Sequence, residues 1–386
     1  MEKKINPLLL WRSFYAFIVT GMIVLMPGAI MPYLLQHFHL SYDQGGSLLA
    51  LQAVGNLTAS LLGGVFSDFV GRKATLLFGA ACFVAGFGGM LLGISTWFLY
   101  IFIFVSGLGW GIMNSLVNAV VNDAAEGRSS VINLLHMFFA LGAFAAPFLV
   151  SFILKLGFSW HYAVITVTAM SVLLLFLFIR MPIETPIRDK GMDGHSPGSF
   201  LRNPRFYLFM AILFLYVGTE NSINGWLVTY LTDARTLRGI SPQDVLSLFW
   251  VAIILGRFLI SYVSGRFSRE SVILVSSIGG ALFFILFLMT SNQILIPLSV
   301  AIMGLAYSGI YPTTVANANP LLRGSGAATG IMLSLGGLGG AAIPYIKGLV
   351  AESRGIQAGM TVIVVSALLM SWAALANVWL GRRAGD

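Results

Sequence analysis

Apolar residues run along this chain in twelve stretches, near 11–36, 45–67, 74–94, 96–120, 131–154, 160–181, 205–232, 242–266, 270–290, 293–316, 325–349 and 356–381. A helix that crosses the hydrocarbon core needs roughly 20 mostly apolar residues, and each stretch meets that length. The pattern predicts an all-α membrane protein with twelve transmembrane helices joined by short polar turns. The longest polar stretch, 182–204, is rich in proline, glycine and charge. It reads as a cytoplasmic linker between an N-terminal six-helix bundle, 1–181, and a C-terminal one, 205–386.

The two bundles repeat one another. Phe14–Phe17 reads FYAF and Phe206–Phe209 reads FYLF; Gly55 and Gly64 match Gly256 and Gly265; Gly107, Trp110 and Asn114 match Gly304, Tyr307 and Tyr311; Pro147 matches Pro344. Two pseudo-symmetric parallel repeats with a substrate site between them are a recurring transporter plan, and they argue against a receptor or a single-bundle channel. Forty-three glycines, with a cluster at Gly336, Gly337, Gly339 and Gly340, suit helices that pack closely.

Composition supports lipid as the solvent: 58% of residues are hydrophobic and 9% charged, against about 25% charged in a soluble domain. The net charge of +8 does not require a nucleic-acid partner. With both termini cytoplasmic, the inner termini and loops hold sixteen basic residues and the outer side five, Lys155, Arg235, Arg238, Lys347 and Arg354. That bias follows the positive-inside rule for a multi-pass protein of the cell (inner) membrane. Lys3 and Lys4 precede the first apolar run as in a signal peptide, but the run is longer than a signal core and lacks a small-residue cleavage site, so it is expected to be a retained helix. Cys82 alone forms no intramolecular disulfide.

Between the second and third runs stand Gly64, Asp68, Gly71, Arg72 and Lys73, in the pattern GxxxDxxGR[RK]. By this signature and its place in a twelve-span chain, the sequence is identified as a member of the major facilitator superfamily of secondary transporters. Asp68 lies at a helix C-terminus, which disfavours an anion, so a partner in Arg72 is expected. The resemblance adds a second partner, the start of helix 11 near Gly324 and Ser325, making the motif a conformational latch. Gly64 is expected at a close helix contact and Gly71 in a tight turn. The second half keeps a degraded copy, Gly265–Arg266 and Arg269–Glu270, with no latch role expected.

Ionisable groups inside a bilayer are costly and read first as functional. Glu220 in helix 7 and Arg257 in helix 8 are mid-span and are expected to pair; protonation of Glu220 would then couple proton binding to movement. His136 in helix 5 is a further titratable candidate. Asn114, Asn118 and Asn122 recur every four residues on one face of helix 4, and Gln52 and Asn56 do so in helix 2. Amides donate and accept, which suits a neutral hydroxylated ligand; interhelical bonding is the competing use. In helix 7, Gly225 flanked by Asn221 and Asn224 is expected to interrupt the helix. Trp226, Tyr307 and Tyr311 are candidates for stacking on a sugar ring, with an interfacial anchor as the other reading of Trp226.

Two segments, Tyr216–Tyr230 and Asn133–Gly142 (NLLHMFFALG), resemble the fucose permease-like family of sugar:proton symporters. That resemblance implies uptake of a neutral sugar with protons by a monomer, without cofactor or metal. Helix 1 lacks the carboxylate that fucose permease carries, and Val105 stands where many proton-coupled members have arginine. A facilitative uniporter therefore stays open, as does a proton-coupled antiporter exporting drugs or other amphiphiles, which Gly142-Ala-Phe-Ala-Ala-Pro147 echoes. A non-transporting sensor would call for a long appended domain. No nucleotide-binding loop or HExxH spacing points to an enzyme.

Overall fold

The protein is described from a computed structural model covering residues 7–125, 128–181, 183, 199–263, 266–322 and 326–383. Lys3, Lys4, Arg188, Lys190, Gly265, Arg323, Gly324, Ser325 and most of the expected linker lie outside the described residues. Twelve helices are long and apolar enough to cross a membrane, and the described residues contain no strand. They are helix 1 (Pro7–His37), helix 2 (Tyr42–Val70), helix 3 (Arg72–Met90), helix 4 (Thr96–Ala124), helix 5 (Ser129–Lys155) and helix 6 (His161–Ile179). Helix 7 (Pro204–Ala234), helix 8 (Pro242–Val263), helix 9 (Arg269–Met289), helix 10 (Leu295–Leu322), helix 11 (Gly326–Arg354) and helix 12 (Ile356–Arg383) follow. The chain divides into two compact units, Met1–Ile187 and Arg188–Asp386.

Each unit is built on the same two glycine crossings. In the first, Gly21 of helix 1 and Gly142 of helix 5 face each other so closely that a Cβ on either would strike a backbone carbonyl, of Phe139 or Ile18. In the second unit Gly218 of helix 7 and Gly339 of helix 11 do the same, against the carbonyls of Gly339 and Phe214. The other crossing joins helix 2 to helix 4 through Gly55 and Gly107, and helix 8 to helix 10 through Gly256 and Gly304. Absent side chains let the backbones approach, which is how membrane helices gain dispersion contacts without a hydrophobic drive. Outward faces are apolar: Phe69, Trp97, Val275 and Met289 are among the most exposed side chains.

Two departures from regular helix matter. Helix 4 passes through a π-helical turn at Met113–Val117. There the Asn118 backbone N–H bonds to Ser115 O, while its side-chain amide donates to Asn114 O at 2.5 Å, so an amide replaces the regular bond. Helix 10 is broken after Tyr307 and resumes at Ile310. Pro312 has no N–H for the carbonyl of Ser308 and its ring crowds that carbonyl, which ends the first segment. Helix 7, by contrast, runs unbroken through Gly225, correcting the expected interruption. The backbone is irregular in the fourth helix of each bundle, at Asn114 and between Tyr307 and Tyr311.

Candidate functional site

Three polar side chains, Gln52 and Asn221 within the bundles and the exposed Arg269 at a helix end, answer to prolines. A proline leaves the carbonyl four residues earlier without its helical partner, and in an apolar interior an unmet carbonyl is costly. Pro27 frees the carbonyl of Ile23, and Gln52 Nε2 donates to it at 3.2 Å. Pro344 frees that of Gly340, and Asn221 Nδ2 donates at 3.4 Å. Pro320 frees that of Ala316, and Arg269 donates at 2.8 Å. Gln52 and Asn221, expected among the substrate ligands, are thus engaged in holding helix 1 to helix 2 and helix 7 to helix 11.

Two further expected ligands are also occupied. Asn224 Oδ1 accepts from Trp250 Nε1 at 3.1 Å. Trp226 is 0% exposed; its Nε1 donates to Pro344 O at 3.2 Å, and the Lys347 ammonium sits 3.5 Å from its ring centroid. A fully enclosed indole with a cation on its ring can neither stack on a sugar nor anchor at an interface, so both expectations for Trp226 fail. Lys347 was assigned to the outer loops; it is 0% exposed within helix 11, where the charge of Asp233 acts on it. Its position two residues before the apparent end of the apolar run 325–349 made it look like a flanking charge.

What remains is a polar cluster in the C-terminal bundle. Tyr216 OH donates to Glu220 Oε1 at 2.9 Å, one turn along helix 7. The Tyr216 ring lies 6.1 Å from that of Tyr307 and 6.2 Å from that of Tyr311, so the break in helix 10 is lined by this cluster. Tyr307 is fully buried against Gly280, where a Cβ would strike its ring, and its hydroxyl has no hydrogen-bond partner. Tyr311 is 38% exposed. From helix 8, Gly256 abuts Ser308 at the break, and its neighbour Arg257 acts electrostatically on both Glu220 and Tyr216. The expected direct pair is not formed: among the described residues no ion pair within 4 Å joins Arg257 to Glu220, and Arg257 Nε is buried without a partner.

Among its described residues the N-terminal bundle offers no such cluster. Asn114 is exposed at the π-turn, with Asn118 Nδ2 3.5 Å from its side-chain oxygen. Asn56 accepts from Ser60 at 3.4 Å within helix 2. The His136 ring packs edge-on to Phe17, centroids 5.6 Å apart.

The motif between helices 2 and 3 is partly rearranged. Gly71 has φ +87°, a conformation other residues rarely adopt, and turns the chain between the helices. Arg72 pairs with Asp123 at the end of helix 4, 2.7 Å away, so its partner is not the expected Asp68, which is exposed. Lys73 is partly buried at the start of helix 3. A Cβ on Gly64 would meet nothing within 4 Å, so this glycine serves no close contact here. In the second half Glu270 pairs with Arg205 at 2.7 Å, and Arg205 also bonds Asn377 at 3.2 Å.

A profile of the Major Facilitator Superfamily matches residues 13–344, and the chain belongs to that superfamily of secondary transporters, which are not enzymes. It is 24% identical over 380 residues to Bypass of stop codon protein 6 of Saccharomyces cerevisiae, covering 88% of this chain and 76% of the yeast protein. Its fold is that of the nucleoside transporter NupG, with TM-score 0.78 and 16% identity over 96% of this chain and 99% of the other. It also matches a D-xylose–proton symporter, with TM-score 0.73 and 15% identity over 94% and 96% of the two chains.

Proposed function

We propose that this transporter imports a small polyhydroxylated solute together with protons, by alternating access, and that Glu220 carries the proton. The observation that carries the reading is the Glu220 carboxylate itself, held mid-span by Tyr216 beside Arg257 and the break in helix 10. An ionised Glu220 accepts the Tyr216 hydroxyl and balances Arg257; a protonated one becomes a donor and leaves that charge unbalanced. Proton binding therefore changes the contacts among helices 7, 8 and 10. Tyr311, the exposed member of the cluster, would meet the solute, and the exposed Asn114 would be the corresponding group of the other bundle. The resemblance to fucose permease-like symporters in helices 5 and 7 supports a sugar-like solute. The charge bias supports the cell membrane with both termini inside, two bundles joined through 182–204, and the family's habit supports a monomer. Asp68, Gly71, Arg72 and Lys73 remain the proposed latch, with Asp123 added.

The test is uptake of labelled hexoses and their acid derivatives into liposomes holding the purified protein, with and without an inward proton gradient. Accumulation that a protonophore collapses is the expected result, lost in Glu220→Gln while counterflow exchange persists. Equilibration indifferent to the gradient would make the protein a uniporter and Glu220 a packing residue.

A further inference from the structure

We infer that the solute carries one carboxylate, as a sugar acid does, and that Arg257 binds it. The inference rests on the proton-coupled reading above and names its substrate class. Three arginines at the helix ends of this bundle are bonded. Arg205 holds Glu270 and Asn377, Arg235 holds Tyr230, Ser291 and the Leu288 carbonyl, and Arg269 holds the Ala316 carbonyl. Arg257 is partly buried within helix 8, six residues before its end, yet it makes no hydrogen bond or ion pair to any described residue. A guanidinium offers five N–H donors and no acceptor, and one held inside a membrane bundle calls for acceptors. The surrounding groups do not supply them. Glu220 has one oxygen engaged by Tyr216 and lies beyond ion-pair distance, and the buried Tyr307 hydroxyl adds another unpartnered group.

Donors in excess, one of them a planar fork, match the two oxygens of a carboxylate. Charge counting chooses among anions. Empty, the cluster holds Glu220 ionised and Arg257 charged, with no net charge. Loaded with one proton and one monocarboxylate, it is again neutral, so both forms cross the membrane interior without an uncompensated charge. A neutral sugar with one proton would leave the loaded cluster positive, and a dianionic phosphate ester would leave it negative. Neither balances.

The test uses full-length protein in liposomes with an inward proton gradient and a membrane potential set by potassium and valinomycin. The probes are labelled gluconate, glucuronate and glucose. The expected result is accumulation of a sugar acid that the imposed potential does not change. Excess unlabelled acid should compete for it, and glucose should not. Arg257→Gln should raise KM for the acid by about 30-fold or more, as truncating one partner of a buried charge pair does, with Arg257→Lys intermediate. Thermal unfolding and monodispersity of each variant identify one that has merely failed to fold, and the potential and competition measurements on the unaltered protein need no variant. Proton-driven accumulation of glucose that rises with inside-negative potential, and not of either acid, would overturn the carboxylate and leave the proton-coupled reading standing. Absence of proton-dependent flux for all three probes would overturn both.

Discussion

The two bundles share a packing scheme and differ in chemistry. Gly21 and Gly142 in one, Gly218 and Gly339 in the other, set the same backbone-to-backbone crossing, and each bundle makes its fourth helix irregular at matching places. Yet the irregularity in helix 4 is made by the Asn118 amide and surrounded by amides, whereas that in helix 10 is made by Pro312 and surrounded by Glu220, Arg257 and three tyrosines. Packing needs small residues at a few fixed places, which leaves the polar positions free to diverge. The proposed coupling chemistry therefore concentrates in the C-terminal bundle.

The largest expected effect follows from that asymmetry. Glu220→Gln should reduce gradient-driven accumulation to the equilibrium level, whereas His136→Gln, which alters a ring packed on Phe17, should leave it unchanged. Next come the shared crossings. Gly142→Leu and Gly339→Leu each drive a side chain into a neighbouring backbone and should cost about 1–3 kcal/mol or more, read as similar losses in melting temperature in detergent. Unequal losses would show that the packing repeat is less faithful than the backbone implies.

A smaller effect sharpens the account of the amides. Gln52→Leu leaves the Ile23 carbonyl without its donor and should cost about 0.6–2 kcal/mol. Adding Pro27→Ala returns a backbone N–H to that carbonyl and should recover most of the loss. A change in solute KM without a change in melting temperature would instead make Gln52 a ligand. Smallest is the Arg72–Asp123 pair, half-exposed on one side; Asp123→Asn should cost about 0.2–1 kcal/mol, with the solute KM unmoved.

Much of this was legible in the sequence. Twelve apolar runs fall on the twelve helices, because a membrane span leaves no choice about length or hydropathy. Glu220, Tyr307 and Tyr311, which the structure brings into one cluster, were legible as candidates because polar groups inside a bilayer stand out. The same rule misread Gln52, Asn221 and Trp226, whose partners are carbonyls in other helices, freed by or belonging to prolines far away in the chain. Lys347 was hidden by its closeness to a helix end, and Asp123 by the nearer Asp68. The break in helix 10 carried a signal, Gly309 followed by Pro312; the π-turn depends on a side-chain bond from Asn118 that no spacing announces.

The central claim, that proton coupling resides in the C-terminal bundle at Glu220, is tested most directly by proton movement itself. Liposomes containing the protein and a trapped pH-sensitive dye, at equal pH inside and out, would receive an inward gradient of whichever solute the unaltered protein accumulates. The account predicts acidification of the lumen with the unaltered protein, His136→Gln and Gln52→Leu, and none with Glu220→Gln. Solute-driven acidification that persists in Glu220→Gln, or that disappears in a folded His136→Gln, would contradict it.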